Sequence, residues 1–253
     1  MAPTWIVCSI ITLAPPSARP LSADRPDVTE SPYTVEPGRA QVEFSFAEWT
    51  RDDDGARTDR WSLAPMNIKI GLTERVEAQL LLAPWSWIDE HGADHADGPG
   101  PAGLRFKLNL WGNDGGDTAL AVMPFVVFPV GDPAFAPERI EGGLIVPFAM
   151  ELDWGFSLGL MAEFDFVWDA DDRVYDLEFV HSAALGRDLF GDLGGFIEYV
   201  GVLAARRGDY QASANAGLTL GIGPDVQLDC GIGIGLTESA DDLRLFAGMT
   251  VRY

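Results

Sequence analysis

No run of about eighteen consecutive apolar residues occurs anywhere in this sequence, which excludes a helical membrane-spanning protein. Positive charge is scarce: 17 Lys and Arg stand against 39 Asp and Glu, a formal net charge of −22. Binding a phosphate backbone needs the opposite balance, so nucleic acid is excluded as a partner. Cysteine is nearly absent. Cys8 lies in an N-terminal apolar stretch expected to be removed, which leaves Cys230 without an intramolecular partner and no disulfide framework. Three histidines give little material for a metal or catalytic centre.

What is present is an ordinary share of apolar residues, 47%, spread over 253 positions with a mean hydropathy near zero. That composition suits a soluble globule. It suits equally a β-barrel, the one membrane-spanning architecture whose strands are half polar. The apolar stretch from Trp5 to Ala14, followed by small residues ending Leu21-Ser22-Ala23, has the length of a signal-peptide core and is too short to cross a bilayer. The expected division is therefore a signal peptide over 1–23, an N-terminal periplasmic or lumenal segment over 24–38, and a barrel over 39–253. No Lys or Arg precedes the apolar stretch, so a buried N-terminal strand is the competing reading. Cys8 falls inside the apolar core and not after a cleavage box, which argues against lipidation.

Beyond residue 38 the sequence alternates with a period of two, which sends successive side chains to opposite faces of a strand. Between 210 and 222 one face carries Tyr210, Ala212, Ala214, Ala216, Leu218, Leu220 and Ile222, and the other Gln211, Ser213, Asn215, Gly217, Thr219 and Gly221. The same rhythm predicts twelve strands near 39–50, 60–72, 75–87, 102–112, 117–130, 139–152, 154–168, 174–186, 193–206, 209–222, 225–237 and 241–253. The fifth is apolar on both faces, which leaves its register open. Short turns such as 72–75, 113–116 and 223–225 are expected to alternate with longer acidic loops, including 52–54, 89–101, 131–139, 169–173 and 238–242. Trp85, Trp87, Trp111, Trp154, Trp168, Tyr175 and Tyr253 fall near segment ends, where an interfacial girdle lies. A twelve-stranded sandwich is the alternative, but its apolar face would be the core, whereas here the polar face is the one crowded with Gly, Ser, Asn and charge. The expected fold is an all-β, up-and-down transmembrane barrel in the bacterial outer membrane, with both termini periplasmic.

The stretch Asp24-Arg25-Pro26-Asp27-Val28-Thr29-Glu30-Ser31-Pro32-Tyr33-Thr34-Val35-Glu36-Pro37-Gly38, then Gln41-Val42-Glu43, resembles the opening of the outer-membrane β-barrel transporters named for the meta-pathway of phenol degradation. The segment from Asn67 to Glu77 and the strand end Phe128-Pro129-Val130-Gly131 add to that resemblance. The resemblance implies a transporter or channel, and the family name implies aromatic or hydrophobic solutes, through gene association alone. The last strand alternates Leu243, Leu245, Ala247, Met249 and Val251 up to Tyr253. It resembles the C-terminal signal read by the barrel-assembly machinery, most examples of which end in Phe.

With the polar faces inward, the lumen is expected to hold Arg39, Lys69, Arg105, Lys107, Arg244 and Arg252 on one side and Glu151, Glu163, Asp165, Asp176, Glu178 and Glu198 on the other. A basic wall facing an acidic wall would set up a transverse field for polar solutes; paired charges filling the lumen are the alternative. The loop acids are expected to be solvated or to bind divalent cations that bridge lipopolysaccharide. His91 and His95 lie in a Gly- and Pro-rich acidic loop without helical geometry, and read as solvated rather than metal-ligating. His181 falls on the lipid-facing side of its strand with no serine beside it, so no hydrolase dyad is visible. The alternation Cys230-Gly231-Ile232-Gly233-Ile234-Gly235 is strand and not a nucleotide loop. No enzyme, cofactor or metal is expected. The expected function is passive uptake of small solutes, with a closed structural or partner-docking barrel as the alternative.

Overall fold

The computed structural model describes residues 19–93 and 95–253. Residues 1–18, where most of the expected signal peptide falls, lie outside the described residues, as does Asp94. Fifteen strand segments follow: β1 (Ala40–Asp52), β2 (Thr58–Leu63), β3 (Met66–Thr73), β4 (Val76–Leu82), β5 (Trp85–Glu90), β6 (Ala96–Gly98), β7 (Ala102–Trp111) and β8 (Thr118–Phe128). They continue with β9 (Glu141–Glu151), β10 (Phe156–Asp169), β11 (Val174–Phe190), β12 (Leu193–Ala204), β13 (Tyr210–Gly221), β14 (Val226–Gly235) and β15 (Leu243–Arg252). Every pairing between them is antiparallel, and β15 closes on β1 from Gln41 opposite Arg252 to Arg51 opposite Leu243. A closed sheet has no free spanning edge, which satisfies the backbone within a bilayer.

The segments form twelve barrel strands, because β2 with β3, β4 with β5, and β6 with β7 are each one strand interrupted once. The interruptions fall at Ala64-Pro65, Ala83-Pro84 and Pro99-Gly100-Pro101. Proline has no N–H for the ladder, so the strand breaks and resumes against the same neighbour. Beyond the breaks the sheet continues: β1 pairs with β3 through its first half and with β2 through its second, and β2 pairs with β5. The long acidic loop expected over 89–101 is accordingly mostly strand, and only 91–95 connects β5 to β6. The expected contrast in loop length also softens. The connection 129–140 is long, but 170–173 and 205–209 at the same rim are no longer than 112–117 at the other. The even strand number still brings Ala40 and Tyr253 to one rim, the periplasmic one, where their backbones bond.

The polarity of the barrel inverts that of a soluble protein. Lys69, Lys107, Gln41, Gln79, Glu43 and Glu77 are no more than 3% exposed, whereas Phe106, Leu108, Phe164, Phe166, Ile197 and Leu220 lie open on the outside. An outward apolar band of this kind places the protein in the bilayer, as a bacterial outer-membrane barrel. The open register of β8 resolves with Ala119, Ala121 and Met123 facing inward and fully buried, Met123 packing with Ile145 of β9 and Met161 of β10. In β1 a bulge at Phe46 shifts the register between Ser45 and Ala47, so Gln41, Glu43 and Ser45 face the lumen before it and Glu48 after it. Above the bulge Trp49, Trp61 and Trp87 lie side by side on β1, β2 and β5, with ring centroids 6.0 and 5.6 Å apart. They form an aromatic girdle on the outer face.

Candidate functional site

The chain from Asp24 to Gly38 threads the lumen. It bends over 26–29 and folds back, so that the Ser31 N–H donates to Asp24 Oδ1 at 3.1 Å, and a segment outside the sheet must find acceptors for its N–H groups elsewhere. The barrel wall supplies them as carboxylates. Glu43 of β1 accepts from the Asp24 and Arg25 amides at 3.1 and 3.2 Å. Glu198 of β12 accepts from Val28 and Thr29 at 3.0 and 2.7 Å and from the Thr29 hydroxyl at 2.6 Å. Glu77 of β4 accepts from Val35 at 2.6 Å. Asn215 of β13 steadies Glu198 at 2.8 Å.

Side chains then fix the segment in register. Asp24 forms ion pairs with Lys69 of β3 and Lys107 of β7, the latter at 2.8 Å. Arg25 forks onto Asp229 of β14 and donates to Ser45 Oγ at 2.6 Å. Glu30 pairs with Arg105 of β7. Asn109 reaches the Pro32 carbonyl at 2.9 Å, and Lys107 the Tyr33 carbonyl at 3.2 Å. Room for Arg25 comes from Gly248 of β15, where an added Cβ would collide with its guanidinium. Val28 completes the seat by packing on the Met123, Ile145 and Met161 cluster.

The structure divides the residues expected to line the lumen among several separate places. Lys69, Arg105 and Lys107 bind the threaded segment, and Glu198 clamps it. Arg39 and Arg252 meet Asp225 at the periplasmic mouth, at 2.9 and 2.8 Å, and Glu151 is exposed at the same end. Arg244 pairs with Glu48 at 3.1 Å. Glu163, Asp165 and Glu178 share the inner face of β10 and β11, with Asp165 directly opposite Glu178, and among the described residues none of the three has a cation within 4 Å. Asp176, next along β11, accepts from the Leu177 and Arg206 amides. The expected basic wall is thus not one: Glu43, Glu77, Asp24 and Glu30 neutralise it on the spot. On the acidic side, by contrast, Glu163, Asp165 and Glu178 keep no such counter-ion among the described residues. Glu43, Glu77 and Asp229 also face the lumen and were not among the residues expected to line it; alternation along β1, β4 and β14 is the signal that could have found them, without revealing their partners.

Cavities open on both sides of the segment. Toward the extracellular rim, one of about 250 Å³ is lined by Asp169, Asp176, Glu178, Arg207, Asp209 and Gln211. Another, of about 160 Å³, touches Val28, Ser213, Asn215 and Arg244. Toward the periplasm, about 410 Å³ lies between Asp27, Thr29, Glu30 and Pro32 and the small residues Ser157, Gly159, Ala184 and Gly194. Val28 borders the cavity of about 160 Å³ and Thr29 that of about 410 Å³. At the periplasmic turn, the hydrogen bond from Arg252 holds the Asp225 carboxyl below the usual carboxylate range, with the Arg39 charge acting in the same direction.

His181 lies on the outer face of β11, against Phe179, Tyr199 and Tyr210. His91 and His95 sit at an exposed connection, and Cys230 is exposed on the outer face of β14.

A family model described as "Putative MetA-pathway of phenol degradation" matches residues 23–253. The fold is similar to the COG4313 outer membrane channel from Pseudomonas putida F1, at 13% identity and a TM-score of 0.72, covering 92% of this chain and 100% of that one. It is also similar to the NanC porin, at 9% identity and a TM-score of 0.55 over 84% and 98% of the two chains. The KdgM porin follows at 8% identity and a TM-score of 0.54 over 83% and 98%. No curated protein matches the sequence.

Proposed function

Because the chain belongs to the family described above, we propose that it is an outer-membrane channel for passive entry of small solutes, gated at Val28 and Thr29. The observation that carries this reading is the content of the lumen. Small barrels are commonly filled by their own side chains. Here the middle is filled by a separate, folded-back segment, with one cavity bordering it at Val28 and another at Asp27 and Thr29 to Tyr33. The uncompensated acids Glu163, Asp165 and Glu178 favour cations in the aqueous path. Aromatic solutes, which the family description suggests, would meet Tyr33 and Phe196 in the periplasmic cavity. We further propose that the assembly machinery reads the last strand through Tyr253, and that loop acids hold divalent cations against lipopolysaccharide.

A second reading is a closed structural barrel, favoured by the buried ion pairs that anchor Asp24 and Arg25. Single-channel recording in a planar bilayer separates the two. Discrete conductance steps whose ion selectivity changes in Arg105→Ala or Glu163→Ala support the channel. An inserted, folded barrel that carries no current supports the structural reading.

A further inference from the structure

Five charged side chains meet in the lumen. Asp24 of the threaded segment lies between Lys69 of β3 and Lys107 of β7. Lys69 also pairs with Glu43 of β1, and Lys107 Nζ lies 3.5 Å from Glu77 of β4. None of the five is more than 8% exposed. Three carboxylates therefore share two ammonium groups, and the cluster is one positive charge short. The ion pairs around it are balanced: Arg25 with Asp229, Glu30 with Arg105 and Glu48 with Arg244. Glu198 also lacks a cation, but the donors that reach it serve no other carboxylate. Where like charges crowd together out of water, repulsion is strong and a further cation is called for.

The backbone nitrogen of Asp24 stands where that cation is needed, 3.1 Å from both carboxylate oxygens of Glu43. As a peptide nitrogen it is neutral; as a chain terminus it is an ammonium. The residues before it, Leu21-Ser22-Ala23, end in a small side chain of the kind an export peptidase cuts after. We propose that the mature chain begins at Asp24 and that its α-ammonium is the missing cation, paired with Glu43 and locking the segment into the lumen. Hydrolysis adds water across the Ala23–Asp24 bond: Ala23 leaves with a carboxylate, and Asp24 keeps the nitrogen, which takes up a proton. That nitrogen is buried once the barrel has closed, so the cut precedes closure.

The same count speaks against a cut after Ala18, the other small residue in range. That cut would put the ammonium on Arg19, whose nitrogen meets Glu36 at 2.8 Å. There Arg19, Arg39 and Arg252 already pair with Glu36, Glu74 and Asp225, three against three, and a further positive charge would be surplus. Removing Arg19 with the leader leaves Arg39 and Arg252 against Glu36 and Asp225, still balanced. The pairing is independent of whether the lumen conducts.

Composition makes the test clean, because Lys69 and Lys107 are the only lysines in the chain and both belong to this cluster. The exported protein, purified from outer membranes in detergent, is treated with an amine-acylating reagent while folded and again after unfolding in urea. Intact mass and sequencing of the first peptide are read. The expected result is a chain of residues 24–253 that takes no label when folded and three when unfolded. A chain that starts elsewhere, or an α-amine labelled in the folded barrel, overturns the proposal. The pairing itself is tested by inserting a glycine between Ala23 and Asp24, which moves the ammonium away by one residue, and by Glu43→Gln in both backgrounds. Glu43→Gln should lower the urea midpoint more in the parent than in the glycine-extended chain. Equal shifts would mean that a proton on one of the carboxyls balances the cluster, and would overturn the pairing. The labelling result decides the proposal even if a variant fails to assemble.

Discussion

Arg25 of the lumenal segment and Asp229 of β14 meet in a two-pronged ion pair, Nε to Oδ2 at 3.0 Å and Nη2 to Oδ1 at 2.6 Å, with the Asp229 side chain fully buried. The partners lie 204 positions apart in sequence, so the contact exists only once the barrel has closed around the segment. It ties the segment to β14, three strands round the closed sheet from β3, whose Lys69 with Lys107 of β7 holds the neighbouring Asp24. Adjacent residues of opposite charge thus tie the segment to β3 and β7 through Asp24 and to β14 through Arg25.

Replacing Arg25 by Ala should leave Asp229 as a buried, unpaired carboxylate. Breaking a buried pair in this way costs about 3–5 kcal/mol. Part of that cost is avoided if the segment leaves and water enters. The expected outcome is a lower urea midpoint together with a larger single-channel conductance. An unchanged conductance would show that Arg25 stabilises the barrel without closing it.

Glu198 holds the other end of the constriction through two amides and a hydroxyl. Glu198→Ala removes acceptors from Val28 and Thr29, where each unmade hydrogen bond to a charged group is worth about 1.5–3 kcal/mol. The layer between the two cavities should loosen. Recordings are expected to show longer or more frequent open times, while Asn215→Ala, which only steadies Glu198, should have a smaller effect in the same direction.

Most of the barrel was legible because alternation is a local signal. The twelve strands, the inward direction of Lys69, Lys107 and Glu198, and the acid pair Glu163 and Asp165 all follow from parity along one segment. What parity does not carry is a partner from elsewhere in the chain. The Pro-rich segment after Asp24 has no periodicity of its own, and its place is fixed by carboxylates on β1, β4 and β12. The basic wall looked unbalanced for the same reason: its counter-ions Asp24 and Glu30 belong to that segment. Pro99 and Pro101 fell in an expected loop, whereas Pro65 and Pro84 interrupt strands expected to run through them; in each case the strand resumes because the ladder on either side remains in register.

Acid should act at the periplasmic mouth. The Arg252 hydrogen bond depresses the Asp225 pKa in the folded state. A depressed carboxylate contributes stability that is complete above its unfolded value of about 4 and is lost as pH falls through the lower folded value. The difference in urea midpoint between the parent and Asp225→Asn is therefore expected to be present at about pH 6 and to close progressively below about pH 4. A difference that persists unchanged into strong acid would mean that the carboxylate acts through its neutral hydrogen bonds and not its charge.

The acidic patch on β10 and β11 governs which ions pass if the lumen conducts. Glu163, Asp165 and Glu178 have no cation within 4 Å among the described residues, whereas the wall carrying Lys69 and Lys107 is neutralised by Glu43, Glu77 and Asp24. Where these neighbouring carboxyls are ionised, the field seen by a permeating ion is negative. Under a salt gradient the reversal potential should report cation preference, and Glu163→Gln with Asp165→Asn should move it toward zero. Screening gives an independent check, since the Debye length falls from about 10 Å at 0.1 M salt to about 3 Å at 1 M. Selectivity that arises from this patch should fade over that range. Selectivity that persists at high salt, or survives the double substitution, would place the filter at the Val28–Thr29 layer, where size and not charge decides.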